Sequence, residues 1–210
     1  MGAHGAMRRS WTLAFALIFL VAGAMTSGAC GSSLGTAAQG DSGNTIASSQ
    51  LTAYIDDARP GISAIVSGHI ASADALRYMK NRKMTAAARD MRLCADDESR
   101  AAGLLDAVKA PSQIVSQLSH QRLVVATRRD AGNFGRFAAL LEGFSSGQLT
   151  GGQAEAKLNK LLPDITKSRK EFWRALEAWA LPLAELVSAE GPDNRALLKI
   201  QNLIAKMPRT

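Results

Sequence analysis

Through most of the chain, apolar residues recur at every third or fourth position, and no sustained apolar–polar alternation appears. Ile62, Ile65, Val66, His69, Ala73 and Leu76 mark one stripe. Met84, Ala88, Met91 and Ala95 mark a second, continued by Leu104, Leu105 and Val108. Ile114, Val115, Leu118 and Val125 form a third, followed by Phe137, Leu140, Leu141 and Phe144. Leu158, Leu161, Leu162 and Ile165 precede the strongest stripe, Phe172, Leu176, Trp179, Leu183 and Val187, which Trp173 and Leu186 widen. Leu197, Ile200, Leu203, Ile204 and Met207 come last. Such a period places one apolar face along each of a series of helices. Only Leu123-Val124-Val125 hints at a strand, and it is too short and isolated to build a sheet.

The punctuation fits helices. Thr150 and Gln153 have capping-box spacing. Pro111 and Pro192 sit near helix starts, and Gly191-Pro192 marks a turn. Pro60, Pro163 and Pro182 are expected to break or kink what surrounds them. The expectation is an all-α protein: one helical bundle of four to five partly kinked helices over residues 50–210. About 160 residues are enough for a single domain with a real core.

The N-terminal part has a different character. Arg8 and Arg9 precede Trp11 to Met25, a stretch without charge. As a helix that stretch reaches about 22 Å, short of the ~30 Å hydrocarbon core. A positive start, a short apolar segment and a small-residue exit read as an export signal. The exit is Ser27-Gly28-Ala29-Cys30. It resembles the lipobox of bacterial lipoproteins, in which small residues precede a cysteine that becomes lipidated and then N-terminal. Ser27 departs from that pattern, which has Leu or another aliphatic residue there, and Ser27-x-Ala29 also suits ordinary signal peptidase. Both enzymes cut the same bond. The resemblance covers residues 1–49 only. It implies a signal peptide (1–29), a lipidated Cys30 with a flexible linker (30–49) and a membrane-anchored domain in the cell envelope, on the periplasmic or extracellular side. Gly31 stands where an inner-membrane retention Asp is common, so outer-membrane sorting stays open. The linker is almost all Gly, Ser, Ala, Thr and Asn, a composition expected to stay disordered and to span about 25 Å.

The two cysteines leave a second route. If Cys30 is not lipidated, an exported chain can close a Cys30–Cys94 disulfide, stabilising the fold by roughly 4 kcal/mol on the chain-entropy view. Removing residues 1–29 takes away two arginines and no acid, leaving 23 basic and 18 acidic residues, net +5. That excess permits contact with anionic lipid or an acidic partner and demands neither.

Little chemistry stands out. Gly143-Phe144-Ser145-Ser146-Gly147 matches G-x-S-x-G, but a helical stretch precedes it and no histidine follows, so it reads as a loop between helices. The histidines are His4, His69 and His120, and no H-x-x-x-H, E-x-x-H or C-x-x-C occurs, so neither metal nor haem is expected. His69 falls on an apolar stripe as a core histidine, His120 is expected to be exposed, and Cys94 reads as a small buried hydrophobe. Arg77, Lys80, Arg82, Lys83, Arg89 and Arg92 face one acid, Asp90. They read as a solvated face or as a contact for an anionic surface. With Tyr78 the single aromatic there, nucleic acid is not expected. Lys167, Arg169, Lys170 and Arg174 read as ordinary surface pairing with Glu171 and Glu177.

The expected function is therefore non-enzymatic and without cofactor. A membrane-tethered bundle acts as an interaction or accessory module for an envelope protein. The alternative is an exported bundle that binds or senses a small apolar ligand, unlipidated and closed by Cys30–Cys94.

Overall fold

Five helices and no strand make up the residues that the computed structural model describes, 48–110, 117–190 and 195–208. They belong to a unit running Ile46–Thr210. The signal segment, Cys30, the linker up to residue 47, Pro111, Ile114, Val115 and Gly191-Pro192 lie outside the described residues, as do the side chains of Leu186, Val187 and Leu197. The helices are α1 (Ser48–Lys80), α2 (Met84–Asp106), α3 (Gln117–Ser145), α4 (Gly151–Glu190) and α5 (Arg195–Ala205). The all-α bundle expected from the periodicity is the observed architecture. At 1.5 Å per residue, α1 and α4 reach about 50 and 60 Å. Pro60, Pro163 and Pro182 end none of these helices; each lies inside a continuous one. A proline forfeits one backbone bond, and burial of residues on either side of it holds the helix together across the gap.

Local chemistry explains the turns. Past α1, Lys83 N donates to Tyr78 O and Arg82 N to Met79 O, with Arg82 in the left-handed region at φ 59°. This is a Schellman ending, with arginine where glycine is usual. Gly147, at φ 78°, reverses the chain after α3, and here the missing Cβ is what permits the turn. Thr150 and Gln153 then close the capping box, Gln153 N donating to Thr150 Oγ1 and Thr150 N to Gln153 Oε1 at 2.9 Å. Ser145, the last residue of α3, is exposed and donates to the Glu142 carbonyl, as a loop-edge serine does.

Successive helices pack closely: α1 on α2, α2 on α3, α3 on α4. At Gly61 the approach of α1 to α2 leaves no room for a side chain; a Cβ there would lie 2.6 Å from Leu105 Cγ. The backbones of α1 and α4, by contrast, scarcely meet. Large side chains fill that seam: Tyr54 and His69 from α1, Phe172, Trp173 and Trp179 from α4. Helix α5 packs chiefly on α1 and only lightly on α4, burying Ile200 and, just beyond it, Met207.

A chain of hydrogen bonds threads the seam. Trp179 Nε1 donates to Tyr54 Oη at 2.6 Å. His120 Nε2 faces the Leu105 carbonyl at 2.8 Å and must carry a proton to bond it. The other nitrogen, Nδ1, then accepts from the Tyr54 hydroxyl at 2.9 Å. Every polar atom along this line is satisfied, and burial pushes the Tyr54 phenol up to about 12. His120 is thus buried, contrary to the exposed position expected for it. The cause lies in the register of α3. Its inward face runs His120, Leu123, Thr127, Asp130, Phe134, Phe137 and Leu141, with polar residues at three of the inner positions. Leu118 and Val125, read as an apolar stripe, lie off that face, 54% and 56% exposed.

Candidate functional site

The same spacing that builds the core carries charge into it. Inward positions of four helices deliver His69 and Ser72 (α1), Cys94 and Glu98 (α2), Asp130 (α3) and Ser168 and Arg169 (α4) to one buried layer. Arg169 is its centre. Its Nη1 donates to Asp130 Oδ2 at 2.7 Å, to His69 Nε2 at 3.0 Å and to Glu98 Oε1 at 3.3 Å. Its Nη2 reaches Ser72 Oγ at 3.4 Å. The guanidinium also lies over the Phe134 ring, 4.7 Å from the centroid.

One guanidinium serves two carboxylates, and they fare differently. Asp130 is fully bonded: Oδ1 accepts from Ser168 Oγ at 2.8 Å and Oδ2 from Arg169. Ser168 is in turn held by Asn133 Nδ2 at 2.8 Å, and Asn133 Oδ1 accepts from Arg136, which pairs with Asp164 at the surface. A continuous polar path therefore runs from the α3–α4 surface to the centre of the bundle. Glu98 is half-bonded. Cys94 Sγ approaches Oε1 at 3.8 Å, and Oε2 has no partner. Two ionised carboxylates against one cation would leave an uncompensated buried charge. Burial first, and the neighbouring Asp130 charge second, push the Glu98 carboxyl up to about 8, so it holds its proton at neutral pH. Asp130 is also raised by burial, but the Arg169 charge and the Ser168 hydrogen bond oppose that rise. The layer then carries one cation and one anion.

His69 completes it. Because Arg169 donates to Nε2, the ring is neutral with its proton on Nδ1, and Nδ1 has no hydrogen bond of normal geometry. Burial, then the adjacent Arg169 charge, lowers its pKa to about 2; the Pro208 backbone works the other way. Burial raises the Cys94 thiol well above its ordinary value, so it is no nucleophile where it sits. Among the described residues no group of three or more His, Cys, Asp or Glu side chains is placed to hold a metal ion.

Arg169 thus corrects the reading of Lys167–Arg174 as ordinary surface pairing: its three basic neighbours are exposed and it alone is buried. Glu98 and Asp130 were not picked out at all. The signal was present, since each of the three sits at helical spacing within an apolar stripe: Met91–Cys94–Glu98, Thr127–Asp130–Phe134, Arg169–Phe172–Leu176.

The basic run lies elsewhere, around the α1–α2 turn. Arg77 pairs with Asp74 at 3.0 Å, Arg89 with Asp90 at 2.8 Å, and Arg92 grips Glu142 through Nη2 and Nε at 2.8 and 3.1 Å. Lys80 ends α1, and Arg82 and Lys83 form the exposed turn without an ion pair among the described residues. Arg77, Arg89 and Arg92 are therefore engaged with the protein's own acids, and Arg82 and Lys83 in the turn present charge to solvent. No helix among the described residues is long and apolar enough to cross a membrane. In comparisons with known proteins, the chain matches no family model, no curated protein and no solved structure.

Proposed function

We propose that the chain is an exported, lipid-anchored helical bundle of the cell envelope, acting as a non-enzymatic interaction module. The observation that carries this is Cys30, set directly after Ser27-Gly28-Ala29 and a charge-free stretch headed by Arg8 and Arg9. The bundle adds two supports. Its chemically capable side chains, His69, Cys94, Glu98, Asp130 and Arg169, are buried and committed to one another. Cys94 is fully buried, so pairing it with Cys30 would require displacing part of the core, which favours the lipid over the disulfide. The α1–α2 corner, with Arg77, Lys80, Arg82, Lys83, Arg89 and Arg92, is the surface suited to an acidic partner or anionic head groups.

The test is the intact mass of the mature protein from membrane and soluble fractions, with Cys30→Ala alongside. Acyl chains on the wild type, lost with membrane association in the variant, are the expected result. A bare, soluble chain beginning at Cys30 and two hydrogens light would replace this reading with a secreted, disulfide-closed bundle.

A further inference from the structure

The α1–α2 hairpin carries its charge unevenly along its length. Gly61 of α1 faces Ala101 and Leu105 of α2, and Gly68 faces Cys94 and Glu98, so the helices run antiparallel and the hairpin has two distinct ends. Around the turn, residues 74–92 hold Arg77, Lys80, Arg82, Lys83, Arg89 and Arg92 against Asp74 and Asp90. Over the rest of the hairpin, five aspartates that reach solvent stand against Arg59, Arg100 and Lys109. One end is basic and the remainder mildly acidic.

The basic end is also the end far from Cys30. The linker after Cys30 leads into α1 at Ser48, and the turn lies a full helix away, about 50 Å. Two arrangements would bring the corner back to the membrane that holds Cys30. Lying flat along α1 and α2 presses the acidic half, with exposed Asp56, Asp57 and Asp96, onto the head groups. Turning over stretches the linker across about 50 Å, twice its relaxed span.

The corner also lacks what a folded partner or an inserted surface needs. No large apolar side chain within 74–92 is exposed; Ile70 and Leu93, the nearest, lie below it. Protein interfaces draw most of their energy from buried aromatic anchors, and inserted surfaces from an apolar face. Here the charges wrap round a convex turn, from Arg77 and Lys80 on α1 through Arg82 and Lys83 to Arg89 and Arg92 on α2. A flat bilayer meets such a corner at few points, whereas a flexible chain follows it. Arg82 stands left-handed at φ 59°, where glycine would be unstrained, so the turn keeps an exposed cation at a backbone cost.

Resting on the lipid anchor at Cys30, we propose that the α1–α2 corner docks a linear anionic polymer of the envelope, with repeating phosphate groups, beyond the membrane surface. A tetrahedral phosphate accepts hydrogen bonds from several directions, which suits guanidinium and ammonium groups spread round a corner.

Long-chain polyphosphate is the probe, titrated first against the full mature chain carrying Cys30→Ala. Binding is expected to weaken about tenfold or more between 50 and 200 mM salt. Arg82→Gly with Lys83→Gln removes two cations and should weaken binding about 30-fold, with Tm unchanged or raised. Lys199→Gln with Lys206→Gln, two exposed cations at α5, should leave binding nearly unchanged. The lipidated wild type, seated on vesicles of phosphatidylcholine and phosphatidylglycerol, should still capture polyphosphate. Polyphosphate binding that is absent, or indifferent to Arg82 and Lys83, overturns the proposal. So does loss of capture once the lipidated protein sits on vesicles, or binding of the Cys30→Ala chain to phosphatidylglycerol vesicles as tight as to polyphosphate; either result makes the corner a head-group contact. The anchor fails separately, by a mature wild-type mass without acyl chains.

Discussion

Arg169→Met is expected to destabilise the bundle by about 3–5 kcal/mol, because it strands Asp130 as a buried carboxylate without its cation. For a domain of this size that corresponds to a fall in Tm of roughly 10–15 °C. Asp130→Asn should lose less, since Glu98 is 3.3 Å from the same guanidinium and can ionise in its place. Replacing all three together (Arg169→Met, Asp130→Leu, Glu98→Met) removes both the interaction and the desolvation it offsets. The triple variant should therefore recover most of the stability lost by Arg169→Met alone. Urea unfolding of the three variants reads this directly. A loss under about 1 kcal/mol for Arg169→Met, the range of exposed pairs, would mean that the layer is hydrated and not part of the core.

The second large effect is on the pH dependence of stability. Glu98 is held up to about 8 in the folded chain, against an ordinary 4.5, and His69 is held down to about 2, against 6.5. Below pH 4.5 the unfolded chain protonates both groups and the folded chain only Glu98, so stability falls as pH falls. Between 4.5 and 6.5 each state binds one proton, on His69 when unfolded and on Glu98 when folded, and these two groups leave stability level. Above 6.5 the unfolded chain binds none while the folded chain keeps one, so stability falls as pH rises, levelling off past 8. The fall from pH 6.5 to 8 is about 2 kcal/mol by linkage. Many carboxylates contribute to the acid limb, so the alkaline limb is the diagnostic one. Urea titrations across pH 6–9 should show it in the wild type, whereas Glu98→Gln should rise slightly from pH 6 to 7, as unfolded His69 loses its proton, and lack the fall between 7 and 8. A limb of equal size in Glu98→Gln would assign it to another group.

How far these features could be read from the sequence depended on which residues marked the inner face. Where apolar residues marked it, as in Phe172–Leu176–Trp179–Leu183 or Ile62–Ile65–His69, the helix and its buried side followed from spacing alone. In α3 the inner positions belong to His120, Thr127 and Asp130, and a stripe drawn through Leu118 and Val125 landed on solvent. The layer was hidden for the same reason. A charged residue in a helical stripe looks like the edge of an apolar face until partners on other helices are known, and Glu98, Asp130 and Arg169 are brought together only by the fold. Capping at Thr150 and Gln153 was legible because both partners are local. The left-handed Arg82 was not, because nothing in its side chain asks for that conformation.

The seam between α1 and α4, closed by side chains alone, also bears on the order in which the chain folds. Neighbours along the staircase from α1 to α4 need short closures, whereas Tyr54 and Trp179 lie 125 positions apart. Closure entropy grows with that separation, so the staircase has the smaller barrier and the seam shuts late. Truncating Trp179 should then speed unfolding and leave the folding rate nearly unchanged, a φ-value near zero, while a value near one would place the seam in the nucleus. On this order the aromatic side of α4 is the last large apolar surface to leave water, and Tyr54 and His69 of α1 are what cover it.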